Sequence, residues 1–173
     1  MTSKEISDVL IQDLYSKNRI AIINNFFCGQ ISGEADVFSL TNSLFSYEYE
    51  IKISRSDFRA DFKKTFKHKL LSKKADYLPS ATLYMTANYF YYVTPKDLVK
   101  VEEVPEYAGL IYVDGSKVIT VKEALKLHSE KANANLISSL LRNYTYKLTQ
   151  GKLSEKSLPP EIYPEPIEVK EGE

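Results

Sequence analysis

The stretch that decides the fold is Glu34-Ala-Asp-Val-Phe-Ser-Leu40, followed after Thr41-Asn-Ser43 by Phe45-Ser-Tyr-Glu-Tyr-Glu-Ile-Lys-Ile53. Polar and apolar residues alternate in both segments and turn-forming residues lie between them, so the pattern predicts an antiparallel β-hairpin. A three-residue loop would place Asp36 opposite Glu50, with their Cβ atoms about 4.5–5.5 Å apart. Because a one-residue slip would send the two carboxylates to opposite faces of the sheet, the site hypothesis depends on this register.

The paired acids of the hairpin indicate a site for a divalent cation. Asp36 and Glu50 are the candidate ligands for Mg²⁺, or for Mn²⁺ as a substitute, because these cations prefer oxygen ligands. The backbone carbonyl of Ile51 is a further candidate ligand. Lys52 lies on the same strand face as Glu50, where its ammonium can orient a water molecule and offset charge on a phosphoryl group. The residue types therefore suit hydrolysis of a phosphodiester. The opposite, buried face is expected to carry the side chains of Tyr49, Ile51 and Ile53.

Other interpretations of these residues stay open. Glu34 and Glu48 share strand faces with the two candidate ligands and are rivals for metal contact. Glu5, on the predicted first helix, is a candidate fourth catalytic residue. A single acid-x-lysine triplet is a weak signal, because alternating charges are typical of a solvated strand face and Glu168-Val169-Lys170 is another such triplet.

A strongly basic segment follows the hairpin. Ser54 is suited to cap a helix, and we interpret Asp57 and Asp61 as helix-stabilising groups rather than ligands. The expected buried stripe has one apolar residue every four positions: Phe58, Phe62, Phe66 and Leu70. The candidate nucleic-acid-binding residues lie off this stripe: Arg55, Arg59, Lys63, Lys64, Lys67 and His68. Such cations can bind DNA phosphates whatever the base sequence, although charge runs also occur on plain solvated helix faces.

The rest of the chain predicts the remaining elements of an α/β fold. Helices are predicted over residues 3–17 and 124–148, and strands over residues 19–27, 87–93, 109–113 and 117–121. The last two strands should form a hairpin across Asp114-Gly115. The last helix is expected to face inward with Leu136, Ile137, Leu140, Leu141 and Tyr144. This order of elements predicts a mixed β-sheet flanked by helices.

Composition bounds the class of protein. The 173 residues, 43% hydrophobic and 27% charged, suit a single globular domain, which we predict over residues 1–150. Residues 151–173 contain six acids and four prolines and are predicted to be an extended or disordered acidic tail. The start has no apolar signal segment, no apolar run is long enough to cross a bilayer, and Cys28 is expected to be a reduced thiol. We therefore expect a cytoplasmic protein without a membrane partner.

The same composition argues against two other enzyme classes. Two histidines and one cysteine, in these sequence settings, supply no credible nucleophilic triad. The six glycines form no phosphate-binding loop, so ATP-driven chemistry is not expected.

A helix, then an aspartate, then Glu-x-Lys on the next strand, then a helix resembles the PD-(D/E)XK nuclease superfamily, which includes restriction endonucleases and archaeal Holliday-junction resolvases. The MmcB-like DNA-repair branch is similar over four segments: Ala35–Val37, Glu50–Lys63, Tyr89–Pro95 and Gly109–Ile111. The resemblance implies a restriction-endonuclease-like fold, with Asp36, Glu50 and Lys52 at the catalytic positions. Glu5 matches the first-helix glutamate of the resolvases only loosely, and Ala35 replaces the nominal proline.

The resemblance also implies a function. We expect a metal-dependent DNA endonuclease in DNA repair, recombination or phage DNA processing, with an action like that of Holliday-junction resolvases. Because two cuts in a duplex need two sites, the analogy also suggests a homodimer. The alternative is a catalytically inactive DNA-binding or protein-interaction module on the same fold.

Overall fold

The computed structural model describes residues 1–27, 33–72 and 86–150, so the predictions for Cys28 and for the tail 151–173 concern residues outside these ranges. The helices are α1 (Ser3–Ser16), α2 (Arg55–Asp61), α3 (Thr65–Ser72) and α4 (Ala134–Thr149). The strands are β1 (Ala21–Phe27), β2 (Glu34–Leu40), β3 (Ser46–Ile51), β4 (Tyr89–Pro95), β5 (Ala108–Asp114) and β6 (Lys117–Lys122). Within the described ranges, no helix has the length and apolar character needed to cross a bilayer.

The six strands form one mixed sheet, in which they lie in the order of the chain. β1, β2 and β3 are antiparallel neighbours, β3, β4 and β5 run parallel, and β6 returns antiparallel to β5. The connection between the parallel strands β3 and β4 contains α2 and α3, as a parallel crossover requires. The predicted α/β architecture, a mixed sheet flanked by helices, is confirmed.

The hairpin of β2 and β3 has the register that the site hypothesis requires. Val37, the last paired residue at this end of the ladder, pairs with Tyr49, and Phe38 pairs with Glu48. Extending this register by one residue beyond the ladder aligns Asp36 with Glu50. The loop closes with a hydrogen bond from the Thr41 backbone nitrogen to the Phe45 carbonyl. Three residues lie within this loop, and the last of them, Leu44, has a φ of 64°, which is typical of three-residue hairpin loops.

Helices cover both faces of the sheet. α1 packs Ile6 and Leu10 against the face on which Tyr49 and Ile51 lie, so the buried positions predicted for those two β3 residues are confirmed. The prediction for Ile53 is wrong: β3 ends at Ile51, and Ile53 is 45% exposed beyond it. On the other face α4 packs against β1 and β2, while α2 and α3 pack against β4 and β5. β3 therefore lies between two apolar clusters on that face.

The basic segment forms two helices instead of the single helix that was predicted. A short turn after Asp61 separates α2 from α3 and interrupts the helical repeat. Residues four apart therefore no longer share one face across the turn. Phe58 and Leu70 are buried as predicted, but Phe62 is exposed and Phe66 is 60% exposed.

The C-terminal helix begins at Ala134, ten residues later than predicted. The segment before it forms backbone hydrogen bonds near the ends of the strands. For example, the Leu127 backbone nitrogen donates a hydrogen bond to the Asn88 carbonyl at 2.8 Å. Backbone groups engaged in this way are not available for an α-helix. The inward-facing residues that the structure confirms are Leu136, Leu140 and Tyr144. Leu141 lies on the outer face of α4 and is exposed, contrary to the prediction.

Close packing between β4 and β5 provides a test of the fold. Gly109 pairs with Tyr91, and a Cβ atom added to Gly109 would overlap the Tyr91 ring and lie 2.8 Å from the Ala124 backbone nitrogen. We expect Gly109→Ala to lower the free energy of unfolding by about 1–3 kcal/mol, the usual cost of overpacking, as measured by urea denaturation. Lys117→Ala, at an exposed position of β6, should change it by less than about 0.5 kcal/mol. Equal effects of the two substitutions would contradict the close packing.

Candidate active site

A polar seam runs along the interior face of β3, between the two apolar clusters. Alternate residues of the strand and its extension form this seam: Ser46, Glu48, Glu50 and Lys52, all of them buried. Neighbouring elements add further charges, and we refer to the following set as the charged cluster: Asp36, Glu48, Glu50, Lys52, Asp61, Lys64 and Lys67. Burial of an ion costs several kcal/mol unless other groups compensate its charge, so the contacts within the cluster decide its stability.

Glu50 lies at the centre of the charged cluster and is 3% exposed. Its Oε1 accepts hydrogen bonds from Lys52 Nζ and Lys64 Nζ, each at 2.9 Å, and its Oε2 accepts one from Lys67 Nζ at 2.8 Å. Burial raises the pKa of Glu50, but the charges of Lys67 and Lys52 outweigh burial and leave the pKa below its ordinary value. Glu50 is therefore a carboxylate at neutral pH, with ammonium groups at both oxygens.

Asp36 is half-buried beside this carboxylate. Its Oδ2 accepts a hydrogen bond from the backbone nitrogen of Ile51 at 2.7 Å, which ties the end of the β2–β3 ladder together. Burial, and then the negative charge of Glu50, raise the pKa of Asp36 to about 6. Two neighbouring carboxylates that repel each other in this way form an environment in which a cation is stabilising.

Lys52 is held between two acids. Its Nζ lies 2.9 Å from Glu50 Oε1 and 3.1 Å from Asp61 Oδ1, and its side chain is almost fully buried. Burial lowers the pKa of Lys52, but the two carboxylates more than offset that effect, and its pKa lies above the ordinary value. The ammonium is therefore charged and fixed at the position that the sequence predicted.

Asp61 is the residue of this site that the sequence interpretation missed. It is the last residue of α2, where a negative charge opposes the helix dipole, so it does not stabilise the helix as proposed. Its buried carboxylate lies 2.9 Å from Lys64 Nζ and accepts a hydrogen bond from the Tyr92 hydroxyl at 2.8 Å. Burial raises the pKa of Asp61, but these partners and Lys52 lower it overall. The sequence carried one signal that Asp61 would be buried: it lies three residues after the apolar Phe58, so the two residues share one helix face.

Lys67 belongs to the interior and not to a DNA-binding surface, so that prediction is wrong. Its Nζ lies 2.7 Å from Glu48 Oε1 and 2.8 Å from Glu50 Oε2, and the side chain is 4% exposed. Burial lowers the pKa of Lys67, but the two acids raise it well above the ordinary range. Burial also raises the pKa of Glu48, whose Oε2 is buried without a hydrogen-bond partner among the described residues.

The other predicted DNA-binding residues divide between interior and surface. His68 is wrong as a phosphate contact, because its ring is largely buried, with Nδ1 2.6 Å from the Tyr107 hydroxyl. Arg55 forms an ion pair with Glu103 and is partly exposed. The predicted cations that are exposed on this surface, fully or in part, are Arg55, Arg59, Lys63 and Lys64. These four residues define the exposed basic surface.

The structure does not bring Glu5, the predicted fourth catalytic residue, into contact with any member of the charged cluster. α1 packs its apolar side on the face of the sheet opposite to Glu50. The Glu5 carboxylate lies at the start of this helix and accepts a hydrogen bond from the Thr2 backbone nitrogen at 2.7 Å, as part of a capping box. Of the two rivals, Glu34 is exposed at the end of β2, and Glu48 is engaged by Lys67.

The donor set of the charged cluster fits an oxygen-liganded divalent cation, with one condition. No three His, Cys, Asp or Glu side chains are grouped for metal binding in the described part of the chain. The opposed carboxylates of Asp36 and Glu50, with the Ile51 carbonyl, would have to hold the ion, and Mg²⁺ accepts one or two carboxylates with waters completing its shell. The condition is that a lysine releases an oxygen of Glu50.

Comparison with known proteins bears on the fold alone. No family model and no curated protein matches the sequence. Among solved structures, the chain is similar to the SPO1766 protein of unknown function from Silicibacter pomeroyi, with a TM-score of 0.65 over 94% of this chain and 98% of that chain. The two sequences are 16% identical.

The role of Lys67 can be tested by its removal. Lys67→Ala would leave Glu48 and Glu50 buried with one ammonium fewer, and loss of one partner from a buried ion pair costs about 3–5 kcal/mol. We expect that loss in the free energy of unfolding, measured by urea denaturation. Lys63→Ala, an exposed lysine nearby, should cost less than about 0.5 kcal/mol. If Lys67→Ala unfolds no more easily than Lys63→Ala, the interior assignment is wrong.

The pKa of Asp36 reports on its contact with Glu50. We expect the Asp36 carboxyl carbon to titrate at about pH 6 in a ¹³C NMR experiment. Glu50→Gln should lower this pKa, because it removes a negative charge beside Asp36, whereas Glu34→Gln at the exposed end of β2 should leave it unchanged. An amide spectrum of each variant checks that it is folded. Titration of wild-type Asp36 near the ordinary value of 3.8 would contradict the opposed pair.

Proposed function

We propose that the charged cluster is the active site of a divalent-cation-dependent endonuclease that hydrolyses phosphodiester bonds in DNA. The observation that carries this proposal is the arrangement of three groups. Asp36 lies at the end of the β2–β3 ladder, bonded to the Ile51 backbone nitrogen and within reach of the Glu50 charge. The Lys52 ammonium lies 2.9 Å from the Glu50 carboxylate. Two acids and a lysine in this relation suit attack of water on a phosphodiester.

Each of the three groups has a distinct role in the proposed reaction. Asp36 and Glu50, with the Ile51 carbonyl, would hold the cation, which could be Mg²⁺ or Mn²⁺. The chemistry that such a cation supplies when bound is polarisation of a phosphoryl oxygen and activation of water. The Lys52 ammonium offsets negative charge that develops on the phosphorus oxygens in the transition state. Asp61 holds that ammonium in place, with Lys52 Nζ 3.1 Å from its carboxylate.

The exposed basic surface supports DNA as the substrate. Arg59 and Lys63 are exposed on the helices and turn beside the charged cluster, and Lys64 connects that surface with Glu50. Cations placed in this way bind phosphates through charge and without regard to base sequence. Cleavage of both strands of a duplex would need two such sites, so a homodimer on DNA is part of the proposal.

The second candidate function is a DNA-binding module without catalysis. One specific observation favours it: ammonium groups occupy both oxygens of Glu50. A site in which lysines already neutralise the acids is stable without a cation. In that case the charged cluster would join β3 to α2 and α3, and the exposed basic surface would carry the function.

Cleavage assays separate the two functions. We expect the wild-type protein to cut duplex, flap or four-way-junction DNA in the presence of Mg²⁺ or Mn²⁺ and not in the presence of EDTA. Lys52→Ala and Asp36→Ala should each lower the rate at least about 100-fold, because each removes transition-state stabilisation. Binding of DNA, measured in Ca²⁺, should be retained in both variants.

The control for these variants is Glu34→Ala, which removes an exposed acid from the same strand as Asp36 and should leave the rate unchanged. Unaltered cleavage by Lys52→Ala and Asp36→Ala would show that the site is elsewhere. Binding of DNA by the wild-type protein without cleavage of any of the three substrates would favour the binding module.

A further inference from the structure

Lys64 lies between two acids of the charged cluster, Glu50 and Asp61. Its Nζ lies 2.9 Å from Glu50 Oε1 and 2.9 Å from Asp61 Oδ1. One ammonium thus bridges carboxylates from two different elements, β3 and α2, both of them buried. Its charge offsets the repulsion between these two acids.

Exposure distinguishes Lys64 from the other two lysines that contact Glu50. The Lys64 side chain is 52% exposed, whereas those of Lys52 and Lys67 are almost fully buried. Lys64 also lies in the turn between α2 and α3, so its side chain can move into solvent without disturbing either apolar cluster. Movement of Lys52 or Lys67 would require an ammonium to leave a buried site.

We infer that Lys64 is an exchangeable substitute for the divalent cation: the cation and the Lys64 ammonium compete for Glu50 Oε1, and Lys64 leaves when the cation binds. This inference rests on the proposed function, which assigns Glu50 as a cation ligand. Oε2 of Glu50 is bound by the buried Lys67, so Oε1 is the oxygen that can be released. Oε1 accepts hydrogen bonds from Lys52 and Lys64, and of these two lysines only Lys64 has a short path to solvent.

Displacement gives the Lys64 ammonium a second role. Arg59 and Lys63 of the exposed basic surface are exposed, and a Lys64 ammonium released from Glu50 and Asp61 would place an unpaired positive charge beside theirs. The surface would then bind a DNA phosphate more strongly when the cation is present. Binding of the cation and binding of the phosphate are therefore coupled, and each should strengthen the other.

Titration with Mn²⁺ alone tests the competition, with free Mn²⁺ measured by electron paramagnetic resonance. We expect Lys64→Met to bind Mn²⁺ about tenfold more tightly than the wild-type protein, because a charge-assisted hydrogen bond no longer has to be broken. Lys64→Arg retains the positive charge and should bind within about twofold of the wild type. Lys63→Met, the adjacent exposed lysine outside the cluster, should show no change.

A second measurement uses the wild-type chain and so does not depend on the folding of a variant. The amine of Lys64 is acetylated with a small reagent, and the modified fraction is measured by mass spectrometry with and without Mg²⁺. We expect Mg²⁺ to raise the acetylation rate of Lys64 by at least about twofold, because the amine leaves its carboxylate partners. The rate at Lys63 should stay constant.

The outcomes separate this inference from the proposed function. Equal or weaker Mn²⁺ binding by Lys64→Met, or the absence of Mn²⁺ binding in both proteins, overturns the inference, as does acetylation of Lys64 that does not respond to Mg²⁺. If the protein cuts DNA under any of these results, the nuclease proposal survives alone. Tighter Mn²⁺ binding by Lys64→Met without cleavage of DNA supports the exchange and rejects the nuclease.

Discussion

Burial of the Glu50 carboxylate is the constraint on which the candidate site depends. A charge on a central strand of the sheet, 3% exposed, would cost several kcal/mol without compensation. Lys52, the residue that follows β3, provides one partner, and Lys64 and Lys67 provide two more from the turn and from α3. The position of the turn and of α3 over β3 is therefore fixed by electrostatics as well as by apolar packing.

The central position of β3 explains why functional groups from several elements meet at one residue. β2 pairs with one edge of β3 as far as Val37 and Tyr49, which brings Asp36 to the end of the ladder next to Glu50, while β4 pairs with the other edge and places Tyr92 beside Glu50. The Tyr92 hydroxyl then binds Asp61, which in turn contacts Lys52. A shift of one residue in either pairing would turn these side chains to the opposite face. The two registers thus position the site more directly than any loop does.

The sequence predicted the parts of the molecule that depend on strand periodicity. Alternation and turn chemistry were sufficient for the β2–β3 register and for the position of Lys52 beside Glu50. The structure of the basic segment was not predictable in this way, because lysines are seldom buried and Lys67 was therefore assigned to the surface. A helical pattern also does not report the tertiary ion pairs that Asp61 and Lys64 form on either side of the turn. The position of Glu5 was not predictable either, since a helix pattern does not specify which face of a sheet the helix covers.

The two candidate functions differ in how the Glu50 charge is balanced and not in the fold. Three ammonium groups stabilise the carboxylate without a metal, which suits a binding module. The cluster is nevertheless not uniform, because Lys64 is half-exposed and Asp36 retains a raised pKa of about 6 beside an ionised neighbour. Burial contributes most to that raised pKa, and the negative charge of Glu50 adds to it. The second acid beside Glu50, together with one lysine whose side chain reaches solvent, is the reason we place the proposed nuclease ahead of the binding module.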